Sequence, residues 1–431
     1  MRRVHPISVT LRSESRRNVE RMERNRVGYL IHEYPSWTQT FSLRQISELL
    51  RQGVDVLPVA SKRGPNVPPE TKLTTTPEVQ LLPNLISWQT LFAQFACLAR
   101  RPVAYLRLVF ATLRALLTGA DGPRLLPIAD LLRGAALARL LQRDLPDVWH
   151  LHGEFAGSEA SIALVAATLA RRRFSFSSHS SHYEPLMRLK LERAEWITPT
   201  SHYEASRLTS RYGANPAKLR LLYIGVPQAR ARSHPKQHSA SESFKILSVG
   251  TLQEKKGHEY LIRAVAHLVG RGIAAQCTIV GGGPLAESLS QLVRELGLAE
   301  HVSLVGWLPS ENIVSLTLEA DVFCLACVTS PTSGTDGIPF ALMEAMQLRV
   351  PCISTWTAGI PELIIPGVTG LLVPPADPEA LAIALEILSS DHELRSRLGQ
   401  QGATHVAEYF DLTVNVAKLA RLLRCGTTAG P

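Results

Sequence analysis

Thr335-Asp336-Gly337-Ile338-Pro339-Phe340-Ala341-Leu342-Met343-Glu344-Ala345-Met346 sets two carboxylates on either side of a Gly-Ile-Pro turn that opens a helix. Pro339 suits the first helical turn, where its missing N–H costs nothing. The amides of Gly337 and Ile338 then point outward at the positive end of the helix dipole, which favours an anion. A diphosphate fits there, with Asp336 before the helix and Glu344 about two turns inside it. Backbone amides for phosphates and a carboxylate for sugar hydroxyls read as a nucleotide-sugar site. The same residues also read as an ordinary helix start, with Asp336 as a cap and Glu344 on the surface.

Working outward, Val350-Pro351-Cys352-Ile353-Ser354-Thr355 is an apolar strand. Ala358-Gly359-Ile360-Pro361-Glu362-Leu363 is a second glycine turn into a short helix, and Gly367-Val368-Thr369-Gly370-Leu371-Leu372-Val373-Pro374-Pro375 follows. A helix is predicted from about Pro378 to Ser389. The series resembles the C-terminal half of family 4 glycosyltransferases of the GT-B fold. In that family an acidic residue, seven others and a Glu precede "EAMA-G-PV", then "GIPEL", then "G-tG-LVpP-D". Asp336 stands for the more usual first Glu, and Gln347 for a usual Ala.

Upstream, Phe244–Gly250 is a strand and Leu252-Gln253-Glu254-Lys255-Lys256-Gly257-His258 the turn after it. The turn resembles the family's "vGRL-ekKG", whose Arg and Lys grip the donor phosphates. Lys256 matches the Lys, Lys255 stands beside it, and Thr251 replaces the Arg. Gln276–Val280 is a strand ending in Gly281-Gly282-Gly283-Pro284. A dinucleotide fingerprint there needs an acid at the end of the next strand. That strand, Val302–Trp307, ends without one, which argues against a nicotinamide site. The resemblance instead implies that Gly282 lines the donor cleft and that the backbone at Trp307 and Leu308 faces the base.

The first half carries a fainter match. Tyr34-Pro35-Ser36-Trp37-Thr38-Gln39-Thr40-Phe41 resembles the "fP--SETFi" loop of exopolysaccharide glycosyltransferases, with Gln39 in place of Glu; Thr38 alone reads as a helix cap. Asp147–Phe155 resembles "D-iHaHfa" and Phe174–His179 resembles "pfs-taH". The resemblance implies that His179 lies near the reacting sugar, with Thr38, Gln39 and His152 on the acceptor side. His150 and His152 alternate on a strand and so share one face. Without a third ligand at metal-site spacing, packing explains that pair better than a metal.

The chain has 431 residues, 45% of them apolar, enough for two domains with real cores. Strands alternating with helical stretches argue for parallel sheets covered on both faces. Residues 1–226 are expected to form an acceptor-binding Rossmann-like domain, joined by a closing helix at 411–424. Residues 227–243 form a linker and 244–410 the donor domain. Six scattered cysteines lack a second C-x-x-C, so zinc is not expected; Cys324 and Cys327, three apart on a strand, lie on opposite faces. The cysteines read as buried thiols of a cytoplasmic protein.

The net charge is +9, but no nucleic-acid motif accompanies it. From Leu85 to Arg143, apolar residues and five aromatics mix with eight Arg and no Lys. These are either core helices with solvated Arg faces or a surface for anionic lipid. Residues 1–26 add eight Arg, show no leader pattern, and no apolar run is long enough to span a bilayer.

The resemblance implies an α/β protein with two Rossmann-like domains facing across a cleft. It implies a retaining hexosyltransferase that moves sugar from a UDP- or GDP-sugar to a growing bacterial surface glycan. The acceptor would be lipid-linked, and no metal or other cofactor is implied. Glu344 would hold the ribose diol, Lys256 the leaving diphosphate and Asp336 the donor sugar, while His179 orients that sugar. A catalytically inactive scaffold subunit or a sugar-nucleotide epimerase would share the fold.

Overall fold

The computed structural model describes residues 26–35, 40–64, 78–117, 126–179, 186–228, 243–332 and 334–425. Thr38, Gln39 and most of the expected linker lie outside the described residues. The chain divides into two compact units. The first holds the described residues up to Thr198, Leu208–Arg220 and the chain from Val416; the second holds Pro199–Arg207 and Leu221–Asn415.

The first unit's sheet contains β1 (Arg26–Tyr34), β2 (Val56–Arg63), β3 (Gln80–Leu81), β4 (Val148–Gly153), β5 (Arg173–Ser178) and β6 (Ile197–Pro199), in the order β3-β2-β1-β4-β5-β6. The second contains β7 (Phe244–Val249), β8 (Ala275–Val280), β9 (Val302–Gly306), β10 (Val322–Cys324), β11 (Cys352–Thr355) and β12 (Leu371–Val373), in the order β12-β11-β10-β7-β8-β9. The recorded pairings are parallel, as between β1 and β4 or β7 and β8. Counted from its own first strand, each sheet reads 3-2-1-4-5-6. That is the doubly wound order, which places ligands beyond the carboxyl ends of the first and fourth strands. In the second sheet these are β7 and β10.

Helices of the first unit are α1 (Thr40–Arg51), α2 (Trp88–Arg100), α3 (Pro102–Leu117), α4 (Leu126–Arg143), α5 (Ser158–Ala170), α6 (Met187–Arg193) and the later part of α7 (His202–Tyr212). The second unit carries α8 (His258–Gly270), α9 (Ala286–Glu295), α10 (Ser310–Glu319), α11 (Phe340–Gln347), α12 (Ile360–Leu363), α13 (Pro378–Ser390) and α14 (His392–Tyr409). The last helix, α15 (Leu412–Cys425), falls with the first unit from Val416 onward.

Strand alternation explains how one short segment serves two cores. Val322, Cys324 and Ala326 pack with Leu261 and Leu385 on one face of the second sheet. Phe323, Leu325 and Cys327 pack with Leu342 and Met346 on the other. A period of two makes this split, and helices on both faces make the strand apolar throughout. The spacing of Cys324 and Cys327 had predicted it.

The Leu85–Arg143 region resolves into two behaviours. Helix α4 is core, burying Leu131, Ala135, Leu137 and Leu141. Helices α2 and α3 are inverted. Helix α2 buries Thr90, Ala93 and Cys97 yet leaves Trp88 85% exposed and Phe95 71% exposed. Helix α3 buries Leu108 and Thr112 and exposes Phe110 and Leu117.

Candidate active site in the second unit

The loops after β7 and β10 meet where the strand order points. Asp336 lies between two ammonium groups, with Lys255 Nζ 3.0 Å from Oδ1 and Lys256 Nζ 2.5 Å from Oδ2. The side chains of Lys256 and Asp336 are each only 15% exposed. Burial alone would pull the Lys256 ammonium down and push the Asp336 carboxyl up. Their attraction, with Lys255, reverses both: Lys256 stays above its ordinary value and Asp336 below. Asp336 is therefore not a helix cap. Pro339 is the N-cap of α11, no side chain caps that end, and the helix begins at Phe340. Half-buried Glu344 consequently lies one turn inside the helix rather than two.

The lysine turn is fastened to the β10–α11 loop. Glu254 Oε2 accepts from Ser330 Oγ at 2.5 Å and from Thr332 Oγ1 at 2.7 Å. These two bonds hold its carboxyl below the usual range. The Val328 N–H donates to the Lys255 carbonyl at 3.0 Å. Gly257, with φ +65°, allows the contact: a methyl there would lie 1.7 Å from the Ala326 carbonyl oxygen. Beneath the turn, His258 is buried within 3.4 Å of Ser248 Oγ. Burial, and then the charge of Lys256, pushes its imidazole down to about 4.

Thr251 is half-buried and places a hydroxyl, not a charge, where the resemblance expects Arg. The Trp307 indole lies over Gly282, where any β-carbon would fall 2.2 Å from Nε1. Trp307 is 64% exposed and Leu308 half-buried beside it. The Gly337 carbonyl accepts from the Gly359 N–H at 3.2 Å, so the Gly337-Ile338-Pro339 turn abuts the next glycine turn. Glu362, in that next segment, accepts from the N–H groups of His202 at 2.7 Å and Tyr203 at 2.9 Å, and from Tyr223 Oη at 2.9 Å. It thus caps the start of α7.

In the first unit, the carboxyl ends of β1, β4 and β5 carry a buried polar cluster. Glu154, fully enclosed, accepts from Tyr29 Oη and, at 3.2 Å, from Gln45 Nε2. His179 Nε2 stands 3.4 Å from Glu154 Oε1, with its ring against Phe155 and Phe41. Burial raises the Glu154 carboxyl, and His179 partly offsets this. His152 corrects the sequence reading. It is fully enclosed, bonded to Ser175 at 2.8 Å and Ser177 at 3.1 Å and stacked on Trp196, so no acceptor can touch it. His150 shares Ser175 at 2.6 Å. Among the described residues no group of three His, Cys, Asp or Glu side chains is placed to hold a metal ion.

The alignment with known families follows this two-unit division. Residues 38–230 match "Glycosyltransferase Family 4" and residues 229–405 match "Glycosyl transferases group 1". A GDP-mannose-dependent phosphatidylinositol monomannoside mannosyltransferase of Mycolicibacterium smegmatis is 30% identical over 302 residues, 65% of this chain and 77% of that protein. The chain belongs to the family 4 glycosyltransferases. A putative colanic acid biosynthesis glycosyltransferase of Salmonella typhimurium is 34% identical over 245 residues, 57% of this chain. The match spans 60% of that relative's length. The crystal structure of Anabaena HepE with UDP and glucose superposes with a TM-score of 0.68 at 16% identity, covering 93% of this chain and 99% of that one. The fold of this family 4 chain is thus GT-B. Sequence reasoning found Lys255, Lys256 and Asp336, which the structure brings together. It assigned no role to Glu254, His258 and Glu154, whose only advance signal was a place within a quoted motif.

Proposed function

We propose that the chain transfers a hexose from a UDP- or GDP-sugar to a growing, lipid-linked bacterial surface glycan, with retention. The observation that carries this reading is Asp336 held between Lys255 and Lys256 at the carboxyl edge of β7 and β10. A diphosphate arriving there competes for the two ammonium groups and frees the carboxylate for donor sugar hydroxyls. The bond from C1 to the diphosphate oxygen breaks through an oxocarbenium-like ion pair. The acceptor oxygen bonds to C1 on the same face, and its proton leaves with the diphosphate. Lys256 neutralises the charge that grows on the leaving group. Glu344 accepts from the ribose diol, and His179, backed by Glu154, orients the sugar.

The lysines supply the positive charge themselves, so activity is expected to survive EDTA; loss on chelation with recovery on Mn²⁺ or Mg²⁺ would overturn this phosphate site. A lipid-linked acceptor places the enzyme at the cytoplasmic membrane surface. No described helix is long and apolar enough to cross a membrane. The deciding experiment is a panel of UDP-, GDP- and ADP-sugars, with the product anomer read by NMR and nucleotide binding read as a rise in melting temperature. A chain that no nucleotide stabilises, and that transfers no sugar, is a scaffold instead.

A further inference from the structure

Helices α2 and α3 turn their largest apolar side chains away from the core. On α2, Trp88, Leu91, Phe92 and Phe95 recur at helical spacing, all between 42% and 85% exposed. On α3, Val103, Leu106, Phe110, Leu113 and Leu117 form a stripe through its whole length, each at least half exposed. A soluble helix places such a stripe inward. Here the inward faces hold Thr90, Ala93, Cys97, Leu108 and Thr112.

The charge on this pair has one sign. Residues 88–117 contain Arg100, Arg101, Arg107 and Arg114 and no Asp, Glu or Lys. Arg107 and Arg114 are exposed and fall within one turn of Phe110 along the stripe. Arg139 of α4 lies over the Phe92 ring at 4.5 Å. Between α3 and α6 there is a cavity of about 530 Å³, whose wall includes Arg101, Arg107 and Arg193 with Glu192. Arg100 and Arg101 are engaged by Gln142 and the Thr168 carbonyl.

We infer that the α2–α3 pair is a docking element for an anionic phospholipid bilayer, with its aromatic stripe among the acyl chains and its arginines at the headgroup phosphates. Apolar side chains on helices whose own charges are all cationic match that surface. A two-fold contact with a second copy would set the same arginines against each other. The inference rests on the lipid-linked reading for its purpose, but its evidence is the face itself.

The test is flotation of the full chain with phosphatidylcholine vesicles, alone or mixed with phosphatidylglycerol, at low and high salt. Binding to the anionic vesicles at low salt is expected, with quenching of Trp88 by brominated lipid that Trp88→Phe removes. Phe92→Ser, Phe95→Ser and Phe110→Ser together should weaken binding at least tenfold. Arg107→Gln with Arg114→Gln should weaken it about fivefold per residue at low salt and far less at high salt. Melting and the nucleotide-induced shift should stay unchanged in all these variants, so failure here is separable from failure of the donor site. Equal binding to neutral and anionic vesicles, or unaltered binding by the phenylalanine variant, overturns the proposal. So does a dimer in sedimentation that the phenylalanine variant dissolves while vesicles remain unbound.

Discussion

Asp336 pairs with both Lys255 and Lys256, so neither ammonium is left as an uncompensated charge. Lys256→Ala is expected to lower kcat/KM by about a hundredfold or more, the scale of one preorganised charge contact, about 3 kcal/mol. Lys255 keeps Asp336 paired, so the melting temperature should barely move. An active variant, measured in the donor assay, would shift the assignment to Lys255. Asp336→Asn should reduce turnover more than nucleotide affinity, and Glu344→Gln the reverse; titration with UDP and GDP beside steady-state rates separates them. At this scale the sequence was informative where a residue's position follows from its neighbours in the chain, as with Lys256 after the strand. It failed for Glu254, whose partners Ser330 and Thr332 are 76 and 78 residues away. The packing reading of the His150/His152 pair agrees with the structure, whereas the acceptor-side place for His152 came only from the resemblance and meets an enclosed ring.

Elements fix how closely the two site loops approach. Gly257 is both left-handed and pressed on Ala326, so its substitution must part the lysine turn from the β10 loop. Gly257→Ala is expected to destabilise the protein by about 2 kcal/mol or more and to weaken donor binding with it. Chemical denaturation and nucleotide titration check the two effects; a stable variant with intact binding would show that the turn needs no such fit. Strand identity was legible from short apolar runs bounded by glycine. The α11 start was misjudged because Pro339 serves equally well as a cap or as a first helical residue. Helices α2 and α3 stayed ambiguous because an apolar stripe on a helix does not state which way it points.

Across the whole molecule, the same strand order built twice buries polar groups under each sheet. Burial holds His150 well below its ordinary value, pulls His152 down to about 3 and His258 to about 4. These imidazoles stay neutral when folded, whereas the unfolded chain protonates them below about pH 6.5. Their stabilising effect is complete above that pH and is lost as pH falls toward the folded values, by up to about 1.4 kcal/mol per pH unit for each. Urea midpoints at pH 7.5 and pH 5 should therefore differ widely, and His258→Gln should flatten the slope by about one proton; an unchanged midpoint would contradict the buried neutral state. Stability also differs between places. Helix α5 is enclosed by core on almost every side, whereas α2 is held by little more than Thr90, Ala93 and Cys97. Local opening is easiest where little apolar area is hidden. Amide hydrogens of residues 88–117 should therefore exchange with deuterium long before those of 158–170, through a partial opening that leaves both sheets intact.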